Sequence, residues 1–86
     1  MALISTGKLG LLLAATGAAH FVVPEAFEGV TEAAFPRDTA VWVQRNGATE
    51  VALGVAMMLR PTRKLAVLGL LGYAGWLGYN VTAAQS

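Results

Sequence analysis

LISTGKLGLLLAATGAAHFVV, residues 3–23, is an apolar run whose ionisable interruptions are Lys8 near the start and His20 near the end. About 20 such residues in a helix cross the hydrocarbon core of a bilayer, so the run predicts a membrane-spanning helix. A cleaved signal peptide is the rival reading: Lys8, then apolar Leu9–Ala15, then the small residues Thr16–Ala19. Lys8 comes late for such a signal, which favours a retained helix.

Outward from this run, Pro24 ends the helix, because proline lacks the N–H that a helix interior needs. Residues 24–40 then carry Glu25, Glu28 and Glu32, with Phe27, Val30, Thr31, Ala34 and Phe35 recurring between them. That spacing predicts a short amphipathic helix lying in the membrane interface. Pro24 in the first turn and Glu25 and Glu28 near the start suit a helix N-terminus.

A second span is expected over about 41–59, although Gln44, Arg45, Asn46 and Glu50 make its first turns polar. Arg60-Pro-Thr-Arg-Lys64 reads as a basic loop, with Pro61 as the stop signal. The third span is expected over about 65–81. Gly69, Gly72, Gly75 and Gly78 recur there, with Tyr73, Trp76 and Tyr79 among them. The fold class expected is therefore all-α: one domain, three transmembrane helices and an interfacial helix between the first and second.

Composition agrees with a bilayer as solvent. Of the 86 residues, 56% are hydrophobic and 13% charged, against roughly 25% charged in soluble domains. Mean hydropathy is +0.59. A net charge of +1 offers no basic footprint for nucleic acid. With no cysteine and one histidine, a metal site held by this chain is not expected, nor is a catalytic constellation of nucleophile and base. Arg60, Arg63 and Lys64 put their loop in the cytoplasm by the positive-inside rule, with the N-terminus, leaving the acidic segment and the C-terminus outside.

Taken in order, Gly17-x-x-His20-Phe21-x-x-Pro24-x-x-Phe27, then Pro36, then Asn46-Gly47-x-x-Glu50-x-x-x-Gly54 and Arg60-Pro-Thr-Arg63 resemble the DoxX-like family of small membrane proteins. The resemblance runs from about Gly17 to Asn80. It implies a helical membrane fold, and partners among redox-linked membrane enzymes such as quinone-linked oxidoreductases. That family usually has a fourth helix. Here the sequence ends six residues after Asn80, so a partner or a second copy is expected to supply the missing packing surface.

Four polar residues are candidates for an intramembrane cluster: His20, Arg45, Glu50 and Asn80. A carboxylate in hydrocarbon costs about 2.5–3.5 kcal/mol on insertion scales, so it normally faces a partner or cavity. Glu50 either binds a polar head group or proton-relaying ligand, or bonds His20, Arg45 or Asn80 and locks the bundle. His20 divides the same way, between proton shuttle and structural hydrogen bond. Arg45 can snorkel to water or lipid phosphate; as an ion-pair partner Glu50 lies about 140° away around the helix, and Glu32 or Asp38 is easier. The glycines and aromatics of the third helix pack it either inside the chain or against another subunit, with Tyr73, Trp76 and Tyr79 as anchors in the second case. Arg60, Arg63 and Lys64 are expected to meet anionic lipid head groups.

The leading functional expectation is an accessory subunit of a larger, redox- or respiration-linked bacterial membrane complex, with an assembly role and no enzymatic activity of its own. The alternative is a homo-oligomeric lipid- or quinone-binding protein with a pocket around His20, Glu50 and Asn80.

Overall fold

Apolar sequence with few breakers forms helices almost throughout. In a computed structural model, which describes residues 5–86, the order is α1 (Thr6–Val22), α2 (Glu25–Ala34), α3 (Thr39–Met58), a 3-10 turn (Arg60–Thr62) and α4 (Arg63–Gln85). The expected first turn at Leu3 lies outside the described residues. α1 starts at Ser5, whose side chain accepts a hydrogen bond from the Lys8 amide, a standard N-terminal cap. α2 turns off α1 by 104° at Val23 and Pro24. Asp38 precedes α3 with φ 54°, a left-handed conformation that aspartate tolerates better than most residues.

The all-helical class is therefore as expected, with shifted boundaries. The expected basic loop 60–64 is not a loop: Pro61 sits in the first positions of a 3-10 turn that runs straight into α4. Proline blocks a helix interior but fits a first turn, where its missing N–H has no helical partner. Among the described residues one helix, Arg60–Gln85, is long and apolar enough to cross a membrane, while α1 and α2 pass that test only together, as a bent pair.

α1 and α3 lie backbone to backbone, and glycine is what permits it. A Cβ placed on Gly10 would stand 2.6 Å from the Gly54 carbonyl oxygen, and one on Gly17 would stand 2.6 Å from that of Gly47. Each pair is spaced seven residues apart, which returns to the same helix face. α4 packs against α3 and α2 and leaves most of its surface open. Of the two roles expected for the α4 glycines, packing inside the chain is not seen at Gly72, Gly75 and Gly78, where an added Cβ would meet nothing within 4 Å, while one on Gly69 would meet Leu53. A three-residue repeat falls about 60° short of a full turn each time, so these glycines drift around the helix instead of forming a seam.

The interior is small and partly polar. The buried apolar residues are Ala34, Phe35, Val43, Met57 and Ala66, joined by buried His20, Thr31 and Asn46. Large apolar side chains crowd the outside instead, among them Leu11, Leu12, Phe21, Leu65, Leu68 and Leu71.

Arg63 closes the end of α3. Its Nε donates to the Met57 carbonyl at 2.8 Å and a terminal nitrogen donates to the Met58 carbonyl at 3.2 Å. A cation on the last carbonyls meets both their unsatisfied acceptors and the negative end of the helix dipole. Arg63→Met should therefore cost about 1–2 kcal/mol in an unfolding titration. Lys64→Met, on an exposed neighbour, should change stability by less than about 0.5 kcal/mol. Equal effects would remove the capping role.

Candidate functional site

The break at Pro24 folds α2 back over the end of α1, and this brings His20 and Phe27 together. Their rings stack with centroids 3.8 Å apart. His20 Nδ1 lies 2.8 Å from the Thr16 carbonyl oxygen. A carbonyl only accepts, so Nδ1 carries a proton and donates it, and Nε2 faces the other way. That second nitrogen points to Glu50 of α3, 3.7 Å from Oε2. The same oxygen accepts a 3.0 Å hydrogen bond from the Tyr73 hydroxyl of α4. Three helices thus meet on one carboxylate.

These residues line a cavity of about 340 Å³. Thr16, Thr31 and Asn46 add polar groups to its wall, and Phe27, Val30, Ala34, Phe35, Leu77 and Val81 add apolar ones. Asn46 is only 6% exposed, and its amide makes no side-chain hydrogen bond to the described residues, so its donors and acceptor serve the cavity. Val30 lines the same cavity while 78% exposed, which puts it at the mouth. A carboxylate and an amide one helical turn apart, within a mainly aromatic and aliphatic wall, suit a molecule with a polar head and an apolar body.

Of the four residues expected in the polar cluster, the structure brings His20 and Glu50 together and leaves out the other two. The Asn80 amide donates to the Trp76 carbonyl of its own helix at 2.8 Å. Its place is taken by Tyr73, which shares its helix face about 10 Å further along the axis. Arg45 is exposed and lies 5.0 Å from the centre of the Trp42 ring, a cation–π contact, and pairs with neither Glu32 nor Asp38. Asn46, one residue on, faces inward instead. The signal for it was present: Asn46 and Glu50 are four residues apart and so share a face.

The aromatic anchors divide as well. Trp76 packs within the chain, 5.3 Å from Phe35 and 5.6 Å from Trp42 between ring centres. Tyr79 remains 70% exposed. Of the basic residues expected at head groups, Arg63 is engaged on α3, whereas Arg60 and Lys64 are exposed. Among the described residues no group of three or more His, Asp or Glu is arranged to hold a metal ion.

Fold and site together define a small all-helical protein with a carboxylate–imidazole–phenol cluster in the wall of a largely apolar cavity. The chain belongs to the family described as Domain of unknown function (DUF8561), whose family model matches residues 9–86. No curated protein and no solved structure matches the chain.

Proposed function

We propose that this protein is a multi-pass membrane protein that binds one amphiphilic small molecule per chain, with its polar head at Glu50 and Asn46. The observation that carries the reading is the cavity itself, with the amide of Asn46, a residue 6% exposed, facing it beside the Glu50 carboxylate. A polar group left without a partner in such a site is costly unless a ligand or water meets it.

The membrane part of the reading draws on the inverted surface. Exposed leucines, valines and phenylalanine cover α1, α3 and α4, and the most apolar window of α4 is only 6% buried. An exposed apolar surface of this kind needs lipid or protein to cover it. The acidic α2 and the basic turn fall at opposite ends of α3, consistent with the basic end in the cytoplasm and the acidic end outside. α1 and α3 then span as a close pair beside α4, with α2 as the interfacial helix. The DoxX-like resemblance is part of this reading, and lipid or quinone is the ligand class it brings.

Native mass spectrometry of protein extracted from membranes tests the binding reading. One retained small molecule per chain is expected in the natural protein. Val30→Trp, placed at the exposed mouth, should reduce that occupancy by about tenfold while leaving stability within about 0.5 kcal/mol. An empty natural protein, or equal occupancy in the variant, would overturn it.

The accessory-subunit reading is supported by one separate observation. Leu65, Leu68 and Leu71 are exposed on α4, an apolar surface that another subunit or a second copy would cover. Stoichiometric partners after gentle extraction would support it.

A further inference from the structure

We infer that the head group taken by this cavity is a protonated amine, so that the ligand is a lipophilic ammonium compound. The inference rests on the binding reading above and concerns only the chemistry of the head.

Glu50 is the one acidic side chain lining the cavity, and no lysine or arginine lines it. Its side chain is 13% exposed. Both protein contacts to the carboxylate, the Tyr73 hydroxyl and His20 Nε2, go to Oε2. Oε1 has no partner among the described residues. An ionised carboxylate accepts hydrogen bonds and donates none, so the group that completes it must be a donor. A positively charged donor gains more than a neutral one, because hydrogen bonds between ionised partners are roughly twice as strong as neutral ones.

His20 leaves this preference in place. Its Nδ1 proton is committed to the Thr16 carbonyl, and Phe27 covers one face of its ring. The Asn46 amide oxygen adds a second acceptor for an ammonium N–H. Phe27, Phe35 and Tyr73 line the same space, and aromatic faces attract cations. A quinone, by contrast, presents two carbonyl acceptors; the Asn46 amide and the Thr31 hydroxyl can donate to these, but a quinone brings no donor for Oε1 of Glu50.

The experiment compares three probes on the full chain in lipid nanodiscs by titration calorimetry: dodecylamine, 1-dodecanol and a short-chain ubiquinone analogue. The first two share a tail and differ in the head, and an alkylamine is cationic at neutral pH. Dodecylamine is expected to bind one per chain, about tenfold or more tighter than dodecanol, as a charge-assisted bond replaces a neutral one. Glu50→Gln should erase that preference. Tyr73→Phe keeps the carboxylate and frees Oε2, so it should preserve or strengthen amine binding, which keeps the test informative if the Gln variant folds poorly. Equal binding of amine and alcohol, or a preference that survives Glu50→Gln, overturns the inference. Binding of the quinone alone overturns it too but leaves the cavity reading standing. No binding of any probe overturns both.

Discussion

Gly54→Ala is expected to destabilise the protein by about 3 kcal/mol, the upper end for adding a methyl to a packed site. The new Cβ would meet the Gly10 carbonyl oxygen at 2.5 Å and the Ala14 Cα at 2.8 Å. These are backbone atoms of a facing helix, so no side-chain rotation relieves the clash and α1 must move away from α3. Separation along that seam also lifts Gly17 from Gly47 and draws His20 away from Glu50, since His20 lies directly over Gly47. Gly29→Ala is the natural control. It meets nothing within 4 Å, and alanine in an exposed helix position gains about 1 kcal/mol over glycine. Unfolding titrations of the two variants should therefore change in opposite directions. Equal losses would mean that the glycine seam does not hold the pair together.

The second large effect is expected at His20. His20→Ala removes the stacked partner of Phe27, the hydrogen bond to the Thr16 carbonyl and the group facing Glu50. Losing a buried aromatic stack and a buried hydrogen bond together costs about 2–3 kcal/mol, and the Glu50 carboxylate also loses the imidazole beside it. The same replacement in a Glu50→Gln background should cost clearly less, because a neutral amide tolerates the loss of its neighbour. Residues that share a partner are non-additive in this way. An equal cost in both backgrounds would place the importance of His20 in its stack on Phe27 rather than in its contact with Glu50.

Much of this architecture is legible in the residues themselves. Apolar runs broken at Pro24 and Pro61 define the helical segments to within a few positions, because proline disrupts helix interiors whatever surrounds it. The inward face of α3 is legible too, since Gly47, Glu50 and Gly54 stand three and four residues apart. Asn80 was misleading for a physical reason. Periodicity reports the angle of a side chain around its helix and says nothing of its height against a neighbour. Tyr73 and Asn80 share an angle, and only the packing of α4 on α3 sets Tyr73 level with Glu50. The glycines mislead similarly. Four at three-residue spacing in α4 catch the eye, yet the close contact uses pairs seven apart in α1 and α3. Arg63 looked like a head-group ligand because a cation near a turn is ambiguous until the last carbonyls of α3 are in place.

The central claim is that Glu50 lies in the largely apolar cavity of a membrane protein, shielded from bulk water. Carbodiimide labelling tests it directly, since these reagents add to carboxyl groups and their own solubility decides which ones they reach. A membrane-soluble carbodiimide should modify Glu50 in native vesicles and spare Glu25, Glu28 and Glu32 on exposed α2, while a water-soluble carbodiimide should do the reverse. Modification of Glu50 by the water-soluble reagent, with none by the membrane-soluble one, would contradict the account.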